Sequence, residues 1–302
     1  MFGENYAGKF QILITNYPPS ITNYHYLCIR KMENSAQYIQ NELKDVFSKS
    51  EISTLVRLIL SEVGDISFAN DLSGAQQKIE NIVRRLRKNE PIQYILGKTE
   101  FYGLPFFVTP DVLIPRPETE ELVEWILSEN TENELSVLDI GTGSGCIPVA
   151  LAKKMLDADV FAWDISEKAL EIATKNAEQN AVNVHFAQQD IFAPFPEQAV
   201  FDIIVSNPPY VPEIEKGTME ENVLDFEPHI ALFVPNENPL LFYERIAEIA
   251  IKLLKTNGKL YFETNRSKAT AVSAMLQEKG FSEIEVRKDI SGNERMVRAK
   301  RF

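Results

Sequence analysis

The chain has 302 residues, 44% hydrophobic and 25% charged, enough to bury a core in one large domain or, as we predict, in two smaller ones. Its net charge of −13 is unevenly spread: residues 32–110 contain nine basic and ten acidic side chains, whereas residues 111–302 contain 19 basic and 33 acidic ones. So acidic a surface repels phosphate backbones, which argues against an enzyme of duplex DNA.

Residues 1–31 are rich in aromatic residues and asparagine and lack an amphipathic period. We expect a disordered or non-native extension, with Met32 as the natural start, whose deletion leaves stability and activity unchanged. The segment lacks the long apolar region and the cleavage site of a secretory signal, and no later segment is long enough to span a membrane. Since the chain also has only two cysteines, we expect it in the cytoplasm.

Three stretches, residues 35–47, 50–63 and 73–88, place apolar residues at intervals of three and four behind a serine. This pattern predicts three helices and a helical domain over residues 32–97, which we expect to recognise the partner. Residues 84–88 (RRLRK) form a dense basic cluster, which we interpret as a solvated helix face in preference to a docking patch.

A β-hairpin is predicted over residues 98–110, with Phe101-Tyr102 and 106–108 as strands around a turn at 103–105, and a helix begins near Pro117. From Ser136 onward, predicted strands alternate with helices. The last two strands, predicted at residues 283–289 and 296–301, form an antiparallel pair. Residues 111–302 are therefore expected to form an α/β domain around a mostly parallel, seven-stranded sheet.

Residues 137–145 (VLDIGTGSG) predict a short apolar strand that runs into a loop with glycine at every second position, and a helix follows from Cys146. Such glycines permit positive φ and close approach of the backbone to a ligand, and the helix N-terminus adds unpaired N–H groups. The dinucleotide pattern G-x-G-x-x-G fails because Cys146 occupies the position of its third glycine, so NAD is disfavoured.

Two acidic residues follow the next two predicted strands. Asp164 stands 25 positions (164 − 139) after Asp139, at the end of a strand, where a carboxylate typically binds ribose hydroxyls. Asp190 and Ile191 follow the third strand, where an acid and an apolar neighbour can bracket an adenine ring. Either acid alone is more often a helix cap, but in this order they predict one adenosyl site.

Asn207-Pro208-Pro209-Tyr210 follows the apolar run 201–206. The prolines have a fixed φ and no N–H, so they hold the neighbouring carbonyls extended and available as acceptors. The Asn207 amide oxygen adds another acceptor, and Tyr210 offers a ring for stacking. A planar –NH2 group held by both hydrogens would point its nitrogen toward an electrophilic methyl. Taken alone, the stretch is equally well a proline-rich turn.

From about Met32 to Phe302 the chain resembles the release factor glutamine methyltransferase family. The resemblance is carried by the glycine loop, the Asn-Pro-Pro-Tyr segment, residues 91–97 (PIQYILG), 101–104 (FYGL), 113–120 (LIPRPETE) and 226–228 (FEP), and Ala231-Leu232. The glycine loop and the Asn-Pro-Pro-Tyr segment are shared with enzymes that methylate amino groups of nucleic-acid bases. The segment 113–120 is far more particular to this family.

The resemblance implies a Rossmann-like class I methyltransferase fold. It implies transfer of a methyl group from S-adenosyl-L-methionine, with S-adenosyl-L-homocysteine as product, to the glutamine side-chain nitrogen of the Gly-Gly-Gln motif in class 1 peptide chain release factors. This reaction modulates translation termination. The expected enzyme is a monomer that contacts neither nucleic acid nor a membrane.

Residue roles also follow from the resemblance, position by position. The residues implied to bind the cofactor are Gly141, Thr142, Gly143, Ser144, Gly145, Asp164, Asp190, Ile191 and Asn207. The residues implied to bind the target glutamine are Arg116, Asn207, Pro208, Pro209 and Tyr210, with Asn207, Pro208 and Tyr210 as the catalytic set. Residues 116–119 are implied to form part of the roof of the pocket. Two departures stand out: Glu263-Thr264-Asn265 occurs where many relatives carry glycine or histidine, and Ile191 where some carry an aromatic residue.

The sequence predicts no metal site, because its three histidines are scattered and its two cysteines lack ligand spacing. Cys146 is interpreted as a small packed residue and not as a nucleophile. Since a sulfonium methyl is a strong electrophile, a neutral acceptor such as Asn207 is adequate and positioning dominates the expected mechanism.

Two alternatives stay open. One is an amino-methyltransferase that acts on adenine or guanine in nucleic acid, although the chain lacks a basic target-recognition domain. The other is a non-catalytic scaffold with a methyltransferase fold, against which the intact glycine loop, Asn207 and Tyr210 weigh.

Overall fold

The computed structural model describes residues 33–64, 72–195, 197 and 200–302 of the chain. It divides into two compact units, which meet in the sequence between Leu96 and Gly97. The extension predicted over residues 1–31 lies outside the described residues, as does Cys28. None of the described helices is long and apolar enough to cross a bilayer.

The first unit is helical, as predicted. Its helices are α1 (33–43), α2 (Lys49–Gly64), α3 (Leu72–Leu86) and α4 (Ile92–Leu96). The first helix ends four residues before the predicted position, and α2 begins behind Ser48 instead of Ser50. Ser48 and Glu51 form a reciprocal cap, since each accepts a backbone N–H from the other, at 3.3 and 2.8 Å. The apolar faces of α1, α2 and α3 meet in one buried cluster that includes Ile39, Ile59 and Ile79.

Two arginines of the basic cluster 84–88 hold the helical unit together. Arg85 pairs with Glu90 and also donates to the carbonyl of Ile95, at 3.3 Å. Arg87 donates to the backbone carbonyl of Glu42 and lies 3.6 Å from its carboxylate. The interpretation of the cluster as a solvated face is therefore incomplete, because part of its charge ties α3 to α1 and to α4.

The second unit begins with the predicted hairpin, but its turn was placed wrongly. The strands are β1 (Lys98–Phe101) and β2 (Leu104–Phe107), so the turn is Tyr102-Gly103 and not residues 103–105. Both turn residues have positive φ, 53° and 71°, which is the two-residue geometry that matches the twist of paired strands. Tyr102 therefore leaves the strand, and Pro105 enters it.

The predicted alternation of strands and helices is confirmed in the rest of the unit. The strands of the main sheet are β3 (Ser136–Ile140), β4 (Asp159–Asp164), β5 (His185–Gln188), β6 (Phe201–Ser206), β9 (Leu254–Glu263), β10 (Ser282–Lys288) and β11 (Glu294–Lys300). The helices are α5 (Pro117–Glu129), α6 (Cys146–Lys154), α7 (Glu167–Gln179), α8 (Glu221–Phe226), α9 (Leu241–Leu253) and α10 (Ala269–Glu278). A small parallel pair, β7 (Val211–Pro212) and β8 (Phe233–Val234), flanks α8.

The seven strands lie in the order β10-β11-β9-β6-β3-β4-β5, and β11 runs antiparallel to the other six. This confirms the predicted α/β fold with an antiparallel last strand. The central strands are apolar on both sides: in β6, Ile204 packs with α9 and α10, whereas Ile203 and Val205 pack with α5 and α6. The strand order reverses between β3 and β6, and such a reversal opens a crevice at the carboxyl ends of the strands.

Candidate active site

A cavity of about 320 Å³ lies at the carboxyl ends of β3, β4 and β6, within the size range of small-molecule sites. The predicted site residues that line it are Arg116, Gly141, Thr142, Gly143, Ser144, Asp164, Asp190, Ile191, Asn207, Pro208 and Pro209. Gly145 and Tyr210 do not line it. These eleven residues are about a third of the 30 that line the cavity, and their segments lie far apart in the chain.

The glycine loop is bent over the end of the sheet by backbone bonds. The N–H groups of Gly141 and Thr142 both donate to the carbonyl of Trp163, at 2.8 and 3.0 Å, which fastens the loop to β4. Gly141 and Gly143 have φ of 77° and 54°, in the left-handed region that glycine adopts without strain. The first turn of α6 follows at the cavity wall, where Cys146 and Ile147 are lining residues.

Gly145, which was predicted to bind the cofactor, has a packing role behind the wall. A Cβ on Gly145 would lie 2.9 Å from Cβ of Ala173, so the absence of a side chain lets α7 approach the loop. The buried Asn176 on the same helix donates to the carbonyl of Ser144 at 2.8 Å and exchanges two hydrogen bonds with Phe107 of the hairpin. The role of Asn176 was not predictable from the sequence, since a single asparagine in a helix carries no signal of its tertiary contacts.

Asp164 anchors the loop while keeping acceptor capacity. Its Oδ2 accepts the Gly143 N–H and its Oδ1 accepts the Ser166 N–H, both at 2.8 Å. Burial raises the pKa of Asp164, and these backbone hydrogen bonds oppose the rise. Each carboxylate oxygen has a second lone pair, so the side chain can still accept hydroxyl groups of a ligand.

Asp190, Ile191 and Phe192 border the next part of the cavity. Asp190 is exposed and its Oδ1 accepts the Phe192 N–H at 2.8 Å, which turns the chain after β5. Ile191 is half-buried, and its carbonyl accepts from Arg245 at 2.7 Å. Phe192, 48% exposed, adds an aromatic face that the sequence analysis had not included in the site.

Asn207 lies directly after β6 and is held from the side. Its Nδ2 donates to Oγ1 of Thr119 at 3.3 Å, and that hydroxyl donates to Glu263 at 2.6 Å. No described protein group donates to Oδ1 of Asn207, which leaves this acceptor for a ligand. Pro208 and Pro209 continue the wall, whereas the half-buried Tyr210 packs against the core cluster on the α9 side, because the chain turns into β7 directly after it.

Glu227 joins two of the resemblance-bearing segments. Its buried carboxylate pairs with Arg116 and accepts the Ile114 N–H at 3.2 Å. The residues 113–120 and 226–228 therefore meet at one carboxylate, and this contact positions the Arg116 side of the cavity. The spacing of 111 residues between the partners gave the sequence analysis no means of pairing them.

Replacement of Glu227 by glutamine should loosen this side of the cavity. We expect the unfolding free energy to fall by about 2 kcal/mol, since a hydrogen-bonded charge is lost and Arg116 keeps partial access to water. Urea denaturation measures the loss. The exposed Asp225 on α8 supplies the control, because Asp225→Asn should change stability by less than about 0.5 kcal/mol. Equal losses in both variants would contradict a specific role for Glu227.

Two buried carboxyl groups, Asp139 and Glu263, and the thiol of the partly exposed Cys146 lie around the cavity. Burial raises the pKa of Asp139 to about 7 and that of Glu263 to about 7. The Thr142 hydroxyl lowers the Asp139 pKa by proximity, although neither oxygen of Asp139 makes a well-formed hydrogen bond. Burial also raises the pKa of Cys146 to about 12, so this thiol is neutral and not a nucleophile.

The wall suits an adenosyl cofactor. The glycine loop brings backbone to the cavity, the half-satisfied carboxylate of Asp164 can bind hydroxyls, and Ile191 and Phe192 can face a planar ring. Asp139, buried without a hydrogen-bond partner beneath the loop, favours a ligand that carries positive charge. Within the described ranges, no three His, Cys, Asp or Glu side chains gather to hold a metal ion.

Comparisons with known proteins show the family of the chain. A methyltransferase domain family matches residues 131–297. The chain is 48% identical over 279 residues to the release factor glutamine methyltransferase of Bacteroides thetaiotaomicron, which covers 89% of this chain and 100% of the relative. It is 44% identical over 274 residues to that of Flavobacterium psychrophilum, covering 87% and 96%. The structure of the 16S rRNA N2 G1207 methyltransferase of Thermus thermophilus has 20% identity and a TM-score of 0.50, covers 68% of this chain and 50% of that one, and shows the fold alone.

Proposed function

We propose, from the premise that this chain belongs to the release factor glutamine methyltransferase family, that it methylates the glutamine of the Gly-Gly-Gln motif in class 1 release factors with Asn207 as its central residue. The observation that carries the proposal is the bond from Asn207 Nδ2 to Thr119, which leaves Oδ1 of Asn207 to accept from a carboxamide at the cavity wall.

The enzyme uses S-adenosyl-L-methionine, whose sulfonium supplies an electrophilic methyl group when the cofactor is bound. Asp164 would hold the ribose, the backbone from Gly141 to Ser144 would lie against the ribose and methionine end, and Asp190 and Ile191 would border the adenine. All of these residues line the cavity. None of them has to break a hydrogen bond that it makes within the protein to bind hydroxyl or amine groups of a ligand.

On the substrate side, the chain contributes acceptors. Oδ1 of Asn207 and a carbonyl next to Pro208 would each accept one hydrogen of the glutamine –NH2 group. Two acceptors on one nitrogen fix its plane, and positioning of this kind lowers a barrier by several kcal/mol, up to about 7 to 11. Pro208 and Pro209 keep the carbonyls rigid, because their φ angles are fixed. Tyr210 would act indirectly, because it packs against the core and so supports residues 207–209.

The partner is a release factor, and we further propose that the helical unit that ends at Leu96 recognises it. This unit has a buried core of its own, built from its helices α1, α2 and α3. The acidic balance of residues 111–302, 19 basic against 33 acidic, supports a reaction without direct contact to nucleic acid. We place the reaction in the cytoplasm and treat the enzyme as a monomer.

A labelling experiment tests the function. The protein is incubated with methyl-labelled S-adenosyl-L-methionine and one of four acceptors: a release factor, its variant with alanine in place of the motif glutamine, DNA, or ribosomal RNA. We expect label on the intact release factor alone. Label only on nucleic acid would establish the base-methylating alternative, and no label on any acceptor would favour the non-catalytic scaffold.

A further inference from the structure

A buried chain of hydrogen bonds connects Asn207 to a carboxylate behind the cavity wall. Asn207 donates to Thr119 at 3.3 Å, and Thr119 donates to Oε2 of Glu263 at 2.6 Å. Thr119 and Glu263 are 3% and 1% exposed, so water does not compete for either group. The three residues come from the end of β6, the first turn of α5 and the end of β9. This series of hydrogen bonds thus depends on the tertiary fold and on no local motif.

The direction of this chain is decided at Glu263. A charged carboxylate can only accept hydrogen bonds, so the Thr119 hydroxyl donates its single proton to Glu263. The oxygen of that hydroxyl can then only accept from Asn207, and the Asn207 group that donates is Nδ2. Oδ1 of Asn207 is then left for the cavity. If Glu263 carries a proton, the chain can run in reverse: Glu263 donates to Thr119, Thr119 donates to Oδ1, and the –NH2 group of Asn207 is turned to the cavity.

We propose that Glu263 is a positioning residue that acts through Thr119 to set which end of the Asn207 amide faces the substrate. The inference rests on the proposed function, because the –NH2 group of a glutamine needs an acceptor and a reversed Asn207 offers it a donor. Only the enzyme with charged Glu263 therefore presents the matching group. Neither Glu263 nor Thr119 has to touch the substrate for this effect.

The surroundings place this change of charge in an accessible range. Burial raises the pKa of Glu263 to about 7, while the hydrogen bond from Thr119 and the charge of Arg295 lower it. The ionisable groups that face Glu263 are Arg116 at the N-cap of α5, Glu118 of α5, Arg295 of β11, Tyr210, Tyr243 and Cys146. Since the carboxyl pKa is raised, Glu263 is protonated below pH 7 and charged above it, and activity should rise with pH through this range.

The first test compares the pH dependence of kcat in the wild type and in Glu263→Gln, from about pH 6 to about pH 9 with saturating cofactor and release factor. The wild type should lose activity as pH falls through 7. Glutamine cannot titrate, and it permits both directions of the hydrogen bonds from residue 263 through Thr119 to Asn207. The variant should therefore lack this inflexion. Its kcat at high pH should be lower by about tenfold, with KM for the release factor changed much less. Thr119→Val should also lack the inflexion, and Thr119→Ser should restore it.

Glu129 provides the matched control. Its carboxylate is likewise largely buried and is held by Trp125, Tyr261 and Arg298, outside the cavity lining. Glu129→Gln should reduce stability while keeping the wild-type pH profile. The same inflexion in Glu263→Gln as in the wild type would overturn the proposal.

A second measurement needs no methyl transfer. In the free enzyme, the NMR signals of the Asn207 side-chain –NH2 group should shift with an apparent pKa near 7, and this titration should be absent in Glu263→Gln. Signals that do not move with pH in the wild type would refute the reversal of the chain. If no release factor were methylated but the titration were present, the proposed function would fail while the control of Asn207 by Glu263 would stand.

Discussion

Replacement of Asn207 by alanine is expected to reduce kcat by about 10²- to 10³-fold with a smaller change in KM for S-adenosyl-L-methionine, since a preorganised acceptor is lost at the reacting nitrogen. Alanine also removes the donor to Thr119 and so leaves the Thr119–Glu263 pair without its third member. Single-turnover transfer of labelled methyl to a release factor measures the loss.

Two further variants separate the acceptor from the fold. Asn207→Asp keeps Oδ1 but places a second acceptor opposite Thr119, whose proton already serves Glu263, so we expect activity close to that of alanine. Asn222→Ala is the control, because this asparagine is exposed on α8 and bonds only within its own turn among the described residues. Full activity in Asn207→Ala would remove the amide side chain from the mechanism.

The parts of the site that the sequence predicted are those with a local cause. The glycine loop was recognisable because glycine at 141 and 143 matches positive φ, and Asp164 because a parallel strand delivers its last residue to the crevice. In each case the determinant lies within a few residues. The seven-stranded sheet was predictable for the same reason, since each strand and helix carries its own apolar period.

The parts that it missed depend on contacts between distant segments. Thr119 and Glu263 are 144 residues apart, and neither stands in a pattern that marks a hydrogen bond between them. Tyr210 was predicted to offer its ring for stacking, and the sequence did not indicate that this ring packs against the core cluster at the turn into β7. The close packing of Ala173 against Gly145 was not predictable either, because Ala173 lies on a separate helix. Periodicity fixes which face of an element is buried and leaves its tertiary partner undetermined.

Asp139 supplies the second large effect, on stability instead of rate. Its carboxyl lies fully buried at the end of β3 with no hydrogen-bond partner, and burial raises its pKa from 3.8 to about 7. Below about pH 4 the group is protonated in both the folded and the unfolded chain and costs little. Between about pH 4 and 7 the unfolded chain ionises first, so the wild type loses stability as pH rises, and above pH 7 the full cost of about 4 kcal/mol is present.

Asp139→Asn removes this titration. As pH rises from 5 to 8, the unfolding free energy of the variant should therefore increase by a few kcal/mol relative to that of the wild type. Glu263 titrates in both proteins, so its contribution drops out of this difference. Urea unfolding at the two pH values measures the gain, and the exposed Asp157→Asn should shift stability by less than about 0.5 kcal/mol at either. The variant should also bind the positively charged cofactor more weakly, because the buried charge of Asp139 favours a cation near the glycine loop. A variant that binds the cofactor as tightly as the wild type would show that Asp139 destabilises the fold without contributing to cofactor binding.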